Sequence, residues 1–472
     1  MNKEAGKRFR DMELASVPLR MVKEEGTNQS VLSKAGIKRR VLKPMYKLIQ
    51  KCSPWLAQTM RNQVYKIYHG YQDCQKHDET IADETVASQE LEQLRDVEIL
   101  VDSTETSRTE FLSGIQRVVR NLIVNFSASV TVGEFHDNIG FVTNNRMRNI
   151  FCRTEEGCEE KKVDCNSVRK LVLLDSSWEY KDRFEPYIDC VNAIGRTYAV
   201  VYDFIPICHK DLVVDENFAK IFVGWHDMIL QKTDHVMCIS KAVADDVISY
   251  YKERRFQREK PLSISYFPLG ANLKPVSDVN PKFIRKCLLR FMDKTTFLMV
   301  GTVEPRKGHI VALQAFTKLL ERRQDVNLLI IGRNGWKNDE VRSFIAGSKF
   351  NKSNILWLED ASDYELMWAY QKSDCLIAAS LDEGYGLPLI EGAHYGIPII
   401  CSDIPVFREV SQGHADFFQV FDSDALQSCM EKWLQADSHP DSSKIRSYTW
   451  KEAADIFMEI VEEKREPYKI LQ

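Results

Sequence analysis

The chain has 472 residues, 44% of them hydrophobic and 28% charged, with a net charge of −4. That composition excludes a disordered chain and predicts a globular protein of two domains plus extensions. No apolar run reaches the roughly 18–20 residues that span a bilayer, and the charged N-terminal stretch lacks the apolar centre of a secretory signal, so neither a spanning helix nor secretion is expected.

The N-terminal stretch is set apart by its charge. Residues 1–70 hold fifteen Lys and Arg against five Asp and Glu, and from Lys34 to Lys66 nine basic residues run without an acidic one. Within that run Val41, Met45, Leu48, Ile49, Cys52, Trp55, Leu56, Met60, Val64 and Ile67 recur at spacings of three, four and one, which is a helical period. Pro44 suits a first turn, and Pro54 after Ser53 kinks the helix or restarts it with Ser53 as N-cap. A basic amphipathic helix carrying Trp either lies on an anionic membrane surface or packs its apolar face on the body of the protein. Residues 71–97 are acidic and polar and read as a linker or an exposed helix. Residues 1–95 are therefore taken as a basic helical extension with an acidic linker.

Beyond this point short apolar runs alternate with helical segments. "VEILVDS" (97–103), "VTVGEF" (130–135), "KLVLLDSSW" (170–178), "TYAVVYDFIP" (197–206), "DHVMCIS" (234–240) and "SISYFPLG" (263–270) read as buried parallel strands of a doubly wound sheet. A second series follows in "TTFLMVGTVEPRKG" (295–308), "VNLLIIGRNGW" (326–336), "NILWLED" (354–360), "DCLIAAS" (374–380) and "GIPIICSD" (396–403). The fold class is thus α/β, with two Rossmann-like domains over 96–285 and 286–440 facing a cleft and a joint near 272–290. The closing segment 441–472 contains "SYTWKEAADIFMEIVEEKREPYKIL", read as a helix with Trp450, Ala453, Ile456, Phe457 and Ile460 on its buried face.

The twelve cysteines are scattered. Cys238, Cys375 and Cys401 sit in strand-like runs, as buried thiols of a reducing cytosol do. Cys152, Cys158 and Cys165 cluster without the C-x2-C pairing of zinc sites, so no metal is expected there. Ligands of doubly wound sheets bind beyond the carboxyl ends of the strands, which places Asp102, Asp175, Asp203, Ser240, Gly301, Gly332 and Ser380 around one crevice.

Two loops at that crevice carry chemistry. In "VGTVEPRKG" a strand ends at Val300, Gly301 permits close backbone approach, and Arg306 and Lys307 offer a guanidinium fork and an ammonium to a phosphate-rich ligand before a helix begins. In "SLDEGYGLPLIEG" the strand ends at Ser380, Glu383 falls in the loop, Gly384 and Gly386 flank Tyr385, and Pro388 opens a helix that carries Glu391 in its first turn. The glycines admit a ligand to the backbone and the free N–H groups of the helix start favour an anion, while the two carboxylates accept hydrogen bonds from sugar or ribose hydroxyls. The plainer alternative is that Glu391 complements the helix dipole and the glycines shape a turn. Asp422-Ser423-Asp424 formally reads D-x-D, but Asp424 or Ser423 more simply caps a helix. No G-x-G-x-x-G follows the first strand, which argues against an NAD enzyme.

Together "VGTVEPRKG", "IIGRNGW", "ASDYELMWAYQKSDCLIAASLDEGYGLPLIEGAHYGIPIICSDIPVFREV" and "SYTWKEAADIF" resemble the GT-B glycosyltransferases of family 4, the retaining, mannosyltransferase-like group of bacterial surface-polysaccharide assembly. The spacing of Glu383 and Glu391 matches that family's E-x7-E motif. The likeness is ordered over 295–460 and thinner over 97–272, in "GIQRVVR", "VVYDFIP", "DHVMCISKAVADDV" and "FPLGAN"; residues 1–90 have no counterpart. The resemblance implies metal-independent transfer of a sugar from a nucleotide donor, such as a GDP- or UDP-sugar, to a glycan or lipid-linked acceptor, without a cofactor. It assigns the diphosphate to Arg306 and Lys307, the transferred sugar to Glu383 and the ribose to Glu391. It further assigns the sugar and phosphate lining to Gly301, Gly384, Tyr385, Gly386 and Leu387, and the phosphate cover or acceptor side to Gly114 and Arg117. In the family the closing helix crosses back onto the N-terminal domain.

Related enzymes often carry a histidine-aspartate pair after the fourth N-terminal strand, where this chain has Tyr202-Asp203. If that histidine meets the donor sugar, Tyr202 alters donor preference or turnover; His209 in "PICHKD" either substitutes for it or is an incidental loop residue. The competing reading is a non-catalytic sugar-nucleotide or carbohydrate-binding scaffold that keeps the fold. The expected location is cytoplasmic, peripheral on the inner membrane face through 34–67, with no nucleic-acid partner.

Overall fold

Runs of apolar residues with few polar interruptions fix the strand layers. The structure is a computed structural model that describes residues 91–108, 114–127, 129–136, 140–143, 160–213, 215–271 and 279–472. The basic segment 34–67, the linker before residue 91, Cys152 and Cys158 lie outside the described residues; Cys165 carries a free thiol.

The first strands are β1 (Gln93–Leu94), β2 (Val97–Asp102), β3 (Val130–His136), β4 (Gly140–Thr143), β5 (Lys162–Val163), β6 (Val168–Leu173), β7 (Arg196–Val201), β8 (His235–Cys238) and β9 (Leu262–Tyr266). They are followed by β10 (Thr295–Val300), β11 (Val326–Ile331), β12 (Ile355–Leu358), β13 (Cys375–Ala378), β14 (Ile399–Ser402) and β15 (Asp416–Phe418), and finally by β16 (Lys469–Leu471). One sheet has the order β1-β5-β4-β3-β2-β6-β7-β8-β9-β16 and the other β12-β11-β10-β13-β14-β15. The second is parallel throughout, and its order reverses between β10 and β13. In the first sheet the reversal lies between β2 and β6. Such reversal points open a crevice at the strand ends, where doubly wound folds bind ligands.

Every residue of β8 and of β11 is buried, as expected of strands covered by helices on both faces. Phe297 of β10 shows how the cover is made: its ring meets Phe316 at 6.1 Å and Trp433 at 5.3 Å, both edge-on, from the helices His309–Arg322 and Ser423–Gln435. At the head of the latter helix Asp422 is the N-cap, its Oδ1 accepting from Asp424 N at 2.9 Å and Ala425 N at 2.8 Å. The cap is therefore Asp422, in place of the expected Ser423 or Asp424, because its side chain reaches both free amides.

Strands β1, β4, β5, β15 and β16 have two to four residues each, too few to show a period in sequence. Strand β1 brings Gln93 and Leu94, expected in the linker, into the first sheet beside β5.

The closing segment differs from the single helix expected. The helix runs over Trp450–Val461, opened by a capping box of Thr449 and Glu452. It buries Trp450, Ala453, Ala454, Phe457, Ile460 and Val461, with Ile456 half-buried. It stops because Glu463 turns left-handed, φ 61°, and its carboxylate is taken by Tyr198 Oη at 3.1 Å and by Arg196. The chain then returns as β16, antiparallel to β9. The helix packs on the first-sheet side, where Phe457 stacks on Phe126 at 5.4 Å and meets Phe267 edge-on at 5.0 Å.

That crossing requires a glycine. A Cβ at Gly270 would lie 2.5 Å from the backbone N and Cα of Trp450. Gly270→Ala is expected to lower the unfolding free energy by about 1–3 kcal/mol through overpacking. Gly347→Ala, where a Cβ meets nothing within 4 Å, is expected to be neutral or slightly stabilising. Urea unfolding of the two variants checks the contrast, and equal stabilities would show that the helix shifts freely.

Candidate active site at the carboxyl edge of the second sheet

The loops after β10 and β13 flank the reversal point of the second sheet. After β10 the chain passes Gly301 and forms a single turn, Pro305–Lys307, before the helix His309–Arg322. After β13 it passes Ser380, Asp382 and Glu383 before the helix Leu387–His394, whose N-cap Gly386 has φ 93°. The loops are tied by backbone, with Leu381 N donating to Arg306 O at 2.7 Å.

Charge is matched within this edge. Arg306 places Nε 2.6 Å from Glu304 Oε1 and Nη1 2.8 Å from Glu383 Oε2, and Lys307 Nζ binds Glu383 Oε1. Ser380 Oγ donates to the same Oε1 at 2.8 Å. Burial pushes the Glu383 carboxyl up, but the Arg306 and Lys307 charges outweigh it and hold the group down at about 2. Burial pushes the Lys307 ammonium down against the pull of Glu383, and pushes Glu304 up against Arg306. The two cations are therefore met by two carboxylates, and Glu304, adjacent in "EPRK", bears no sign of this role in the sequence. An incoming anion meets a cluster already neutralised, whose cations it must share with Glu383.

The second glutamate is held differently. Glu391 sits in the second turn of its helix rather than the first. Its Oε1 accepts from Arg117 Nη1 at 3.0 Å and its Oε2 from Tyr370 Oη at 2.8 Å. Arg117 reaches it from the helix Gly114–Asn125 beside the first sheet, so Gly114 is a helix start; residues 109–113 lie outside the described residues. The Tyr370 ring stacks on Tyr395 at 5.4 Å, and no signal in sequence linked either tyrosine to Glu391.

Two of the glycines admit close packing of the chain, Gly386 against the Phe407 ring and Gly384 against the backbone. A Cβ at Gly384 would lie 2.1 Å from the carbonyl O of Tyr202, and Gly384 O accepts from Ser240 Oγ at 2.7 Å. The strand ends of the first sheet thus press directly on this loop. Tyr385 is buried, its Oη donating to Leu269 O at 3.3 Å, and Leu387 packs at the edge of the core. Tyr202 points into the core, with Oη donating to Leu174 O at 2.6 Å, while Asp203 Oδ1 accepts from Ile205 N at 3.1 Å. The Tyr202 hydroxyl is thus turned away from the cleft loops, whereas Asp203 is partly exposed. Asp102 and Asp175 are likewise committed, to Thr104 and Ser177 and to the Thr106 and Ser176 amides. Burial raises both, Asp102 to about 7.

Between the loops lies a cavity of about 20 Å³ lined by Lys307, His309, Ser380, Glu383 and Pro388, room for about one water molecule. Among the described residues no group of three or more His, Cys, Asp and Glu is placed to hold a metal ion.

Residues 281–451, which span this sheet, match the family described as "Glycosyl transferases group 1". The chain carries a group 1 glycosyltransferase domain. It is 31% identical over 374 residues to the serotype-specific mannosyltransferase WbdA of Escherichia coli, an alignment covering 76% of this chain and 46% of WbdA. It is 28% identical to the O-antigen chain mannosyltransferase RfbU of Salmonella typhimurium over 251 residues, 52% of this chain and 63% of RfbU. The chain thus spans about half to two thirds of the length of these relatives. Its fold is that of Anabaena HepE, crystallised with UDP, at a TM-score of 0.54 and 11% identity over 78% of this chain and 98% of HepE. The architecture is therefore GT-B, two Rossmann-like domains facing a cleft. Among the described residues no helix is long and apolar enough to cross a membrane.

In this glycosyltransferase domain the depressed Glu383 carboxyl makes stability depend on acid. A group held below its unfolded value of about 4.3 stabilises the fold above that value and loses the contribution as pH falls toward its folded value. Glu383→Gln, which leaves Arg306 and Lys307 short of a charge partner, is expected to lose about 3–5 kcal/mol near neutral pH. The gap to wild type should narrow as pH falls from about 5 toward 2. Denaturant titrations across that range measure it, and a pH-independent gap would show that the charge of Glu383 does not stabilise the fold.

Proposed function

We propose that the protein transfers a hexosyl group, mannose in the first instance, from a nucleoside diphosphate sugar to a hydroxyl of a glycan or lipid-linked saccharide, with retention and without a metal. The observation that carries this reading is the Arg306–Glu383–Lys307 cluster at the strand-order reversal of a group 1 glycosyltransferase domain. The relatives support the sugar and the setting of surface-polysaccharide assembly, WbdA being a mannosyltransferase and RfbU an O-antigen chain mannosyltransferase. The HepE structures, which hold UDP or UDP-glucose, support a nucleotide-sugar donor.

In this reading the diphosphate brings its charge to Arg306 and Lys307, with the N–H groups at the start of Leu387–His394 adding a fixed positive field. Glu383, sharing its cations with the diphosphate, offers a further lone pair to a hydroxyl of the transferred sugar, and Glu391 exchanges Arg117 for the ribose. As the sugar leaves, negative charge grows on the diphosphate and positive charge on the anomeric carbon. Cations already in place stabilise the first without reorganising. A diphosphate oxygen takes the proton of the acceptor hydroxyl, so no protein base is required.

The test is release of nucleoside diphosphate from a panel that includes GDP-mannose and UDP-glucose, with the anomeric configuration of the product read by NMR. Arg306→Ala is expected to lower kcat/KM by about 10²–10³-fold. Glu391→Gln is expected to raise the donor KM with a smaller effect on kcat. Equal background turnover in wild type and Arg306→Ala would favour the non-catalytic scaffold. For the segment 34–67 we propose attachment to an anionic membrane surface; deleting residues 1–70 should abolish sedimentation with phosphatidylserine vesicles, and unchanged sedimentation would overturn this.

A further inference from the structure

Beyond the cluster itself, one segment of the first domain lies across the loops that form it. After β7 the chain makes the short helix Ile205–Cys208 and a turn through Val213. Trp336 Nε1 donates to Leu212 O at 2.9 Å and Lys337 Nζ to Asp211 O at 3.0 Å, both from the loop that follows β11. At the other end of the turn His209 Nε2 lies 3.2 Å from Asp382 Oδ2. Three contacts from two loops of the second domain therefore fasten this strap.

The histidine contact reaches furthest into the site. Asp382 divides its carboxylate, with Oδ2 toward His209 and Oδ1 accepting from the Glu383 backbone N at 2.8 Å. Its carbonyl O accepts from Arg306 Nη1 at 3.4 Å, the same nitrogen that binds Glu383. His209 therefore fixes the side chain that fixes the peptide on which Glu383 is mounted. Toward Asp382 only a nitrogen bearing hydrogen is favourable, which both the Nε2–H tautomer and the imidazolium supply. Among the described residues no second hydrogen-bond donor reaches Oδ2, so loss of the imidazole leaves that carboxylate free to rotate away from the amide it holds.

We propose that His209 is a positioning residue that acts through Asp382 to hold the Glu383 peptide, and with it the Arg306–Glu383–Lys307 cluster, in register when the 205–213 strap lies across the second domain. The proposal rests on reading that cluster as the transfer site. A displaced reactive group costs turnover more than it costs donor binding, because alignment matters most in the transition state.

The experiment compares His209→Ala with His209→Gln, whose amide can place a donor where Nε2 lies. Hydrogen–deuterium exchange on the free proteins reads the loop without any donor. Uptake in the peptide spanning 380–387 is expected to rise in His209→Ala and to stay at the wild-type level in His209→Gln. With a nucleotide sugar that wild type turns over, His209→Ala is expected to lower kcat about tenfold with less than about twofold change in donor KM, and His209→Gln to restore most of it. Unchanged uptake in His209→Ala, a His209→Gln variant as impaired as His209→Ala, or raised uptake with unchanged kcat would each overturn the proposal. A wild type that turns over no nucleotide sugar would instead sink the transferase reading, with the exchange comparison still deciding whether His209 holds the loop.

Discussion

The site depends on one carboxylate shared between two cations. Glu383 joins Arg306 and Lys307, and through them the loop after β13 to the loop after β10. Each ion alone would be costly to remove from water, and each is tolerable here only because the others are present. The arrangement makes the two loops a single body: moving either one separates opposite charges in a place with little water to screen them. Cations fixed in this way are in place before any anion arrives.

Around this body the two domains meet through backbone as much as through side chains. The Tyr202 carbonyl touches Gly384, Ser240 Oγ reaches Gly384 O, and Glu409 accepts from the Lys241 and Ala242 amides at 2.8 Å each, placing a carboxylate from one domain at a helix N-terminus of the other. Arg117 and Glu391 add a charged contact. The contacts differ in kind: the glycine contact tolerates no side chain, whereas the Arg117 pair joins a partly exposed guanidinium to a largely buried carboxylate.

Much of this was legible in sequence because it is written in periods and in punctuation. Eleven apolar runs marked the strands of at least four residues that lie in the parallel parts of both sheets, since burial on both faces leaves little room for polar residues. "EPRKG" and "DEGYG" marked the two loops that meet at the candidate site because both set charge beside glycine at a strand end. What escaped was decided by tertiary contact. That Glu383 meets Arg306 depends on the register of two loops distant in sequence, and that a side chain at Gly384 would meet Tyr202 O depends on a strand end far away along the chain. Tyr370, Glu304 and Trp336 bear no local signal, because a tyrosine on an apolar helix face or an acid before proline reads equally well as core or as surface. The turn at Glu463 that ends the closing helix is set by Arg196 and Tyr198, far away along the chain.

The return of β16 to β9 has a consequence for how the molecule comes into being. The strands of the first sheet lie within residues 93–266 and 469–471, so the second sheet is inserted in sequence between its last two strands, β9 and β16. During synthesis the β9 edge and the apolar seat around Phe126 and Phe267 stay uncovered while some two hundred further residues emerge and fold, a condition that invites mispairing at the open edge. The second sheet, by contrast, is continuous in sequence and can close on its own. The first sheet therefore gains its last strand only after the whole of the second sheet has been synthesised.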